Sequence, residues 1–283
     1  MDGFDYISCR GINDEVMTSR SGHGHAAEGG AIVYPSSLRR SEAAIHRQVE
    51  NDRYRFGRAL GAPEVESAAE LVARRYAWRG YDARCSVAAM SSASELPLIA
   101  SRNGEVHGTL TVRLDDRASL LSEALYPDEI AALRAQGAML CEFGKLAFRE
   151  NVNTLEILGP LFHIGLLYLA GQHGCTDAVV EVNPRHVGFY RRLFGFTVIG
   201  EQRICPRVSA PAQLLRLSLQ EAVERAQAEG GARSGHRSIY PYCLGRDEVD
   251  MLCRAPAGSV DAGLPVCRQG ATSYARNDWQ GAL

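Results

Sequence analysis

The segment CEFGKLAF sets an acid, Glu142, before a base, Lys145, in a run apolar enough for a central strand. A carboxylate buried in such a strand has its pKa pushed toward neutrality and can then take a proton from a bound ligand. The same glutamate would also serve as a structural carboxylate paired with Lys145, on the other face, or with an arginine. Tyr190, in GFYRRLFGF, carries a phenol whose ordinary pKa of about 10 suits it to donate a proton at neutral pH. Alternatively it packs as one more aromatic beside Phe189. Arg113, followed by Asp115 and Asp116 at the end of TLTVRLDD, offers a bidentate grip on a carboxylate and an acidic hook for an amine. Solvated strand-end charges would produce the same residues. Arg185, Arg191 and Arg192 form a cationic set suited to an acidic partner or a phosphate, or to solvent.

Positioning these side chains requires strands and helices in a particular order. RYRFGRAL alternates as a strand, and PEVESAAELVARRYAWRGY opens with a proline and an acidic first turn, as a helix does. LPLIAS and VHGTLTVRL flank Asn103-Gly104, a hairpin signal, so they are expected to pair antiparallel. LLSEALYPDEIAALRAQG reads as two short helices broken near Pro127, and AMLCEFGKLAF as the central strand. A strongly apolar helix is expected from about Thr154 to His173. DAVVEVN is a buried strand, PRHVGFYRRLF a helix with Pro184 in its first turn, GFTVIGEQ and QLLRLSL two further strands, and QEAVERAQAEG a closing helix. The order predicts an α/β (α+β) fold, a mixed central sheet flanked by helices, with irregular extensions at both ends. The expected divisions are an N-terminal arm over 1–50, one domain over 51–230, and an extension over 231–283 that packs on or near it, with a short helix around Arg246 to Arg254.

Within the apolar helix, Leu161, Phe162 and Leu166 could line a hydrophobic tunnel, with Gly159 and Gly165 leaving room, or could be plain core. His163 reads as a core histidine. The stretch from Ile157 to Ala170 is shorter than the roughly 20 residues of a membrane span. No secretory signal is visible in MDGFDYISCR. A net charge of −2 removes the general electrostatic case for nucleic acid. The eight cysteines show no metal-ligand spacing, and reduced thiols in a cytoplasm are the expectation. Cys141 adjoins Glu142 but has no histidine at a recognisable spacing. No metal site is expected, since the histidines of HGH lack further ligands nearby.

The element order, together with EVNPRHVGFYRRLFGFTVIG, resembles the GNAT superfamily of acyltransferases. Asn183 at a strand end, Tyr190 on the next helix and Gly195-Phe196 opening a strand fall in the order that family uses. The glycine-rich loop with which ordinary GNATs cradle the pyrophosphate of coenzyme A is replaced by LAFRENVNTLEILGPLF. Two branches share that departure: acyl-homoserine lactone synthases and FeeM-type long-chain N-acyl amino acid synthases. CEFGKLAF and RRYAWRGY resemble segments of both branches. TLTVRLDD, LLSEALYPDEIAALRAQG and RSIYPYC favour the amino acid synthases, as does a lysine, Lys145, where the lactone synthases carry arginine.

The resemblance implies an N-acyltransferase that moves a long fatty acyl chain to the α-amine of an amino acid. Its donor would be the acyl-phosphopantetheine of acyl carrier protein, with acyl-CoA as an alternative, and it would hold no cofactor. Glu142 would accept the ammonium proton and Tyr190 would protonate the leaving thiolate. Backbone amides near Gly144 to Ala147, on a splayed strand, would polarise the carbonyl. Arg75 and Trp78 would border the acyl channel, lined by Phe162 and Leu166. Lys145, Arg113 and Asp115 would serve the acceptor, and Arg185 the carrier or its phosphate. A greasy product leaves peripheral membrane contact open. The alternatives are a lactone synthase, which would need S-adenosylmethionine as acceptor, and a catalytically silent acyl-binding module.

Overall fold

The structure, a computed structural model, describes residues 49–50, 54–78, 95–115, 119–235 and 237–253. Asp116, the HGH histidines and nearly all of the N-terminal arm lie outside the described residues. In chain order the elements are β1 (Val49–Glu50), β2 (Arg55–Arg58), α1 (Ala62–Trp78), β3 (Glu95–Arg102) and β4 (Glu105–Leu114). A 3-10 turn (Leu121–Ala124), α2 (Pro127–Ala135), β5 (Leu140–Phe148) and α3 (Thr154–Leu166) follow. Then come β6 (Asp177–Val182), α4 (Pro184–Phe194), β7 (Thr197–Val198), β8 (Arg203–Cys205), β9 (Ala210–Ser218), α5 (Leu219–Glu229) and α6 (Arg246–Cys253).

The strands form one mixed sheet in the order β1-β2-β3-β4-β5-β6-β9-β7, with β8 also on β9. All neighbours are antiparallel except β5 and β6, which run parallel. The β3–β4 hairpin closes where Asn103-Gly104 predicts it, and both residues take positive φ, 52° and 79°, as a tight primed turn requires. Asn183 caps α4 through its side chain, Pro184 occupies the first turn, and Gly195 ends the helix at φ 90°.

Period-2 alternation sends the strand side chains to opposite faces of the sheet. On one face Ala68, Leu71 and Val72 of α1 pack on Ile99, Val106 and Ala147, while Ile130 and Leu133 of α2 pack on Leu140, Val179 and Leu214. On the other, α3 and α5 cover Leu98, Val112, Phe143 and Leu217. Each such side chain, taken fully out of water, contributes about 1.5–3 kcal/mol before entropy is subtracted.

Sequence and structure differ in four places. GFTVIGEQ yields only the two-residue β7. Arg203–Cys205 adds a strand, β8, that the pattern does not announce. Val49–Glu50, within the expected arm, pairs with β2. The apolar helix changes to π-helical winding over Leu167–Gln172. Thr154–Gln172 is, among the described residues, the one helix long and apolar enough to cross a membrane, and 78% of its most apolar window is buried inside the protein. It packs as the central helix of the larger core.

The chain after α5 joins that core through Ile239, Tyr240, Cys243 and Leu244. The Tyr240 hydroxyl donates to the carbonyl of Phe194 at 2.7 Å. Gly159 of α3 allows this, since a Cβ there would stand 2.3 Å from the carbonyl oxygen of Tyr242. Backbone cannot swing aside as a side chain can. Gly159→Ala is therefore expected to cost about 1–3 kcal/mol, read as a lower thermal midpoint.

Candidate functional site

The parallel ladder between β5 and β6 stops early. Its pairs are Leu140↔Asp177, Cys141↔Ala178 and Glu142↔Val179, and beyond them β5 keeps only β4 while β6 keeps only β9. Strand geometry turns alternate N–H groups to each side, so amides of β5 beyond Glu142 face an opening rather than a neighbour. A cleft of about 790 Å³ fills the fork. Its apolar wall includes Leu110, Phe148, Leu158, Phe162, Phe189 and Phe194.

Glu142 stands at the vertex of the fork. It is buried, and its two carboxylate oxygens accept from the N–H groups of Leu121 (2.5 Å) and Ser122 (3.0 Å). Burial pushes its pKa up to about 7, against the pull of those hydrogen bonds and of Arg207. At neutral pH the carboxyl group is therefore poised between its acid and base forms.

Lys145 does not pair with Glu142. Thr109 stands opposite Ala147 and Thr111 opposite Gly144, so Lys145 and Leu146 together face Leu110 in a β-bulge. Lys145 takes φ 48°, a left-handed value rare for a residue with a Cβ. Without the bulge, alternation would send Lys145 and Glu142 to opposite faces. With it, the ammonium forms a buried ion pair with Glu95, which also binds Arg113 at 2.8 Å. Glu95, Arg113 and Glu142 are direct cross-strand neighbours and so lie in one row on one face. Burial holds the Lys145 pKa below that of an ordinary lysine, opposed by Glu95.

Tyr190 lines the cleft from α4, its ring stacked on Phe194 and edge-on to Phe196, with centroids 5.6 Å away in each case. Arg185 lines it from the first turn of α4 and donates to His186 at 3.3 Å. Phe162 and Arg75 also reach the lining; Arg75 donates to Glu150 at 3.0 Å. Trp78 is half-exposed at the end of α1, with the Arg75 guanidinium 5.1 Å from its ring, and is not part of the lining.

The structure places the other sequence-identified residues elsewhere. Arg113 is turned to Glu95 and to the carbonyl of Ser119, and Asp115 is gripped bidentately by Arg134 at 2.8 and 2.5 Å. Neither lines the cleft, because each already satisfies a neighbouring charge. Leu166 is fully buried behind the lining. Gly159 and Gly165 leave no tunnel: Tyr242 and Phe143 occupy the space beside them. His163 is buried, and burial pushes its pKa down to about 4. Cys141 lies in the core with its thiol pKa raised by burial and by Cys175, the reverse of an activated nucleophile. Among the described residues no cluster of potential ligands could hold a metal ion.

Sequence reasoning missed Glu181, Cys205 and Arg207, which also line the cleft. The Arg207 guanidinium bridges the Leu121 carbonyl and Glu181, the latter at 2.8 Å. Burial and a hydrogen bond to Glu181 hold the Cys205 thiol above the ordinary cysteine range, hence protonated.

Comparison with known proteins meets this geometry. The family model described as N-acyl amino acid synthase FeeM matches residues 67–218, more than half of the chain and all of β3 to β9. Among solved structures, FeeM, an N-acyl amino acid synthase from uncultured soil microbes, aligns at TM-score 0.56 and 26% identity, over 61% of this chain and 94% of that one. An acyl-CoA N-acyltransferase from Pseudomonas aeruginosa aligns at TM-score 0.42 and 14% identity, over 58% and 99% of the two chains. The AHL synthase LasI gives 0.43 and 16%, over 59% and 89%. No curated protein matches the chain in sequence. The chain is an acyltransferase that belongs to the FeeM family of N-acyl amino acid synthases.

Proposed function

We propose that the protein makes N-acyl amino acids by moving a long fatty acyl group from the phosphopantetheine thioester of acyl carrier protein to the α-amine of an amino acid. The observation that carries this reading is the fork itself: Glu142 sits where β5 and β6 part, with a largely apolar cleft running away from it. The amine reaches the thioester carbon at the vertex. Glu142 takes the ammonium proton, the nitrogen lone pair attacks the carbonyl, and cleft-facing amides of β5 hold the oxygen as it gains charge. Collapse breaks the C–S bond, Tyr190 protonates the departing thiolate, and the second proton that the nitrogen sheds as the amide forms returns to the Tyr190 phenolate. No covalent enzyme intermediate and no bound cofactor take part.

The acyl chain lies along Phe162, Leu158 and Phe148, and Arg75 stands on the same lining. Lys145, Glu95 and Arg113 together carry two cations to one carboxylate, and this surplus positive charge suits the acceptor's carboxylate at Lys145. Arg185, Arg191 and Arg192 are exposed on α4, and Arg185 and Arg192 border the cleft, a placement suited to the phosphate and acidic surface of a carrier. The β5–α3 connection, residues 149–153, contains no glycine, which supports a pantetheine arm over a cradled CoA diphosphate.

The donor is tested by comparing kcat/KM for the same acyl group on carrier protein and on coenzyme A. A preference of at least about tenfold for the carrier, a difference of roughly 1.4 kcal/mol in transition-state binding, is expected. Equal or better use of acyl-CoA contradicts the carrier assignment. Tyr190→Phe keeps the ring packing and removes the proton. It is expected to lower kcat by about 10²-fold with KM little changed, measured by thiol release.

A further inference from the structure

The carboxylate that the proposed reaction uses as base is connected to a cation through a single peptide group. The Leu121–Ser122 peptide accepts a hydrogen bond from Arg207 at its carbonyl and donates its N–H to Glu142 Oε1 at 3.0 Å. A cation bound to the carbonyl polarises the peptide and makes its N–H a stronger donor. The second Arg207 bond, to Glu181 at 2.8 Å, holds the guanidinium in place from β6 on the far side of the cleft. Arg207 itself is carried by the turn between β8 and β9, residues 206–209, in which Ser209 takes φ 49°.

We propose that Arg207 is a positioning residue for Glu142: acting through the Leu121–Ser122 peptide, and by its own charge, it keeps that carboxylate oriented and ionised at the vertex of the fork. This rests on the reading of Glu142 as the base. The other charged and titratable groups around Glu142 do not take over that role. Arg113, its cross-strand neighbour on β4, is bound to Glu95, and Lys145 on its own strand is bound to the same Glu95. Glu123, in the 3-10 turn, is held by Arg134. Asp177, earlier on β6, is held by Arg216. Glu181 is an acid already bound by Arg207, and Cys141, next to Glu142 in the chain, is a protonated thiol. Arg207 is the cation that acts on the peptide binding Glu142.

The test is a carboxyl titration by NMR of the full chain carrying 13C-labelled glutamate. The Glu142 signal is identified by its absence in Glu142→Gln, and the titration is run beside the pH dependence of kcat/KM. In Arg207→Gln the Glu142 midpoint is expected to rise by about one pH unit, a tenfold gain in proton affinity. The acid limb of kcat/KM should move up with it. Arg207→Lys, which keeps the charge but grips one partner at a time, is expected to fall between wild type and the glutamine variant. It also supplies the reading if Arg207→Gln does not fold. Arg203→Gln is the control, because Arg203 ties β8 to the Leu125 carbonyl and to Glu129 without touching Leu121. It should leave the Glu142 midpoint in place. A midpoint unmoved in both Arg207 variants, or moved as far by Arg203→Gln, overturns the proposal. A midpoint that moves while the acid limb stays put upholds the role of Arg207 and rejects Glu142 as the base.

Discussion

Glu142→Gln is expected to lower kcat/KM by roughly 10²–10⁴-fold, the range spanned by loss of a general base. The side chain keeps its shape but can no longer take a proton. The loss should appear mainly in kcat, since the apolar cleft that holds the acyl chain is untouched. A second signature separates this from a folding defect. The Glu142 pKa is raised by burial to about 7 in the folded protein, from an ordinary value of 4.5. A carboxyl group with a raised folded-state pKa favours folding fully below its unfolded pKa, and that advantage is lost as pH climbs toward the folded value. Between about pH 4.5 and 7 the wild type therefore loses stability through this group, and above pH 7 the loss is complete. Glutamine does not titrate, so its stability relative to wild type should improve steadily across that window and then level off. Denaturant unfolding at several pH values measures this. A difference that stays constant with pH would mean that Glu142 is not buried as an acid.

Glu95→Gln is expected to be the most destabilising of the conservative substitutions at the site, by about 3–5 kcal/mol. Glu95 is buried and is the shared anion of Lys145 and Arg113, whose side chains are also largely buried. Removing its charge leaves two cations in a low-dielectric setting with no counter-ion. The reverse substitution is milder: Lys145→Met leaves Glu95 still bound to Arg113. Thermal melts should show the first variant lowered by roughly 6–20 °C. Equal melting of Glu95→Gln and Lys145→Met would contradict the triad.

Local signals made much of the fold legible. Asn103-Gly104 allows positive φ at both turn positions, Asn183-Pro184 starts a helix in the way capping requires, and largely apolar runs mark β5 and β6 as central strands. The candidate base could be found because CEFGKLAF resembles a family strand that carries an acid at the position of Glu142. Its surroundings could not. Period-2 counting sends Lys145 to the face opposite Glu142, and only the bulge returns it. Nothing about lysine signals a left-handed backbone. Glu95 stands at the edge of the apolar run LPLIAS, where a charge normally faces solvent. Arg207 meets Glu181 across 26 residues of chain, through a short hairpin with weak strand pattern. The two glycines of α3 read as room for an acyl chain, and that room is filled by backbone at Gly159 and by an aromatic ring at Gly165.

Mass spectrometry of lipid extracts from cells expressing the wild-type chain or Glu142→Ala tests the proposed activity most directly. New N-acyl amino acids in the wild type, lost in the variant, are the expected result, and fragmentation would name the acceptor. N-acyl-homoserine lactones in their place, or amides formed equally by the variant, would contradict it.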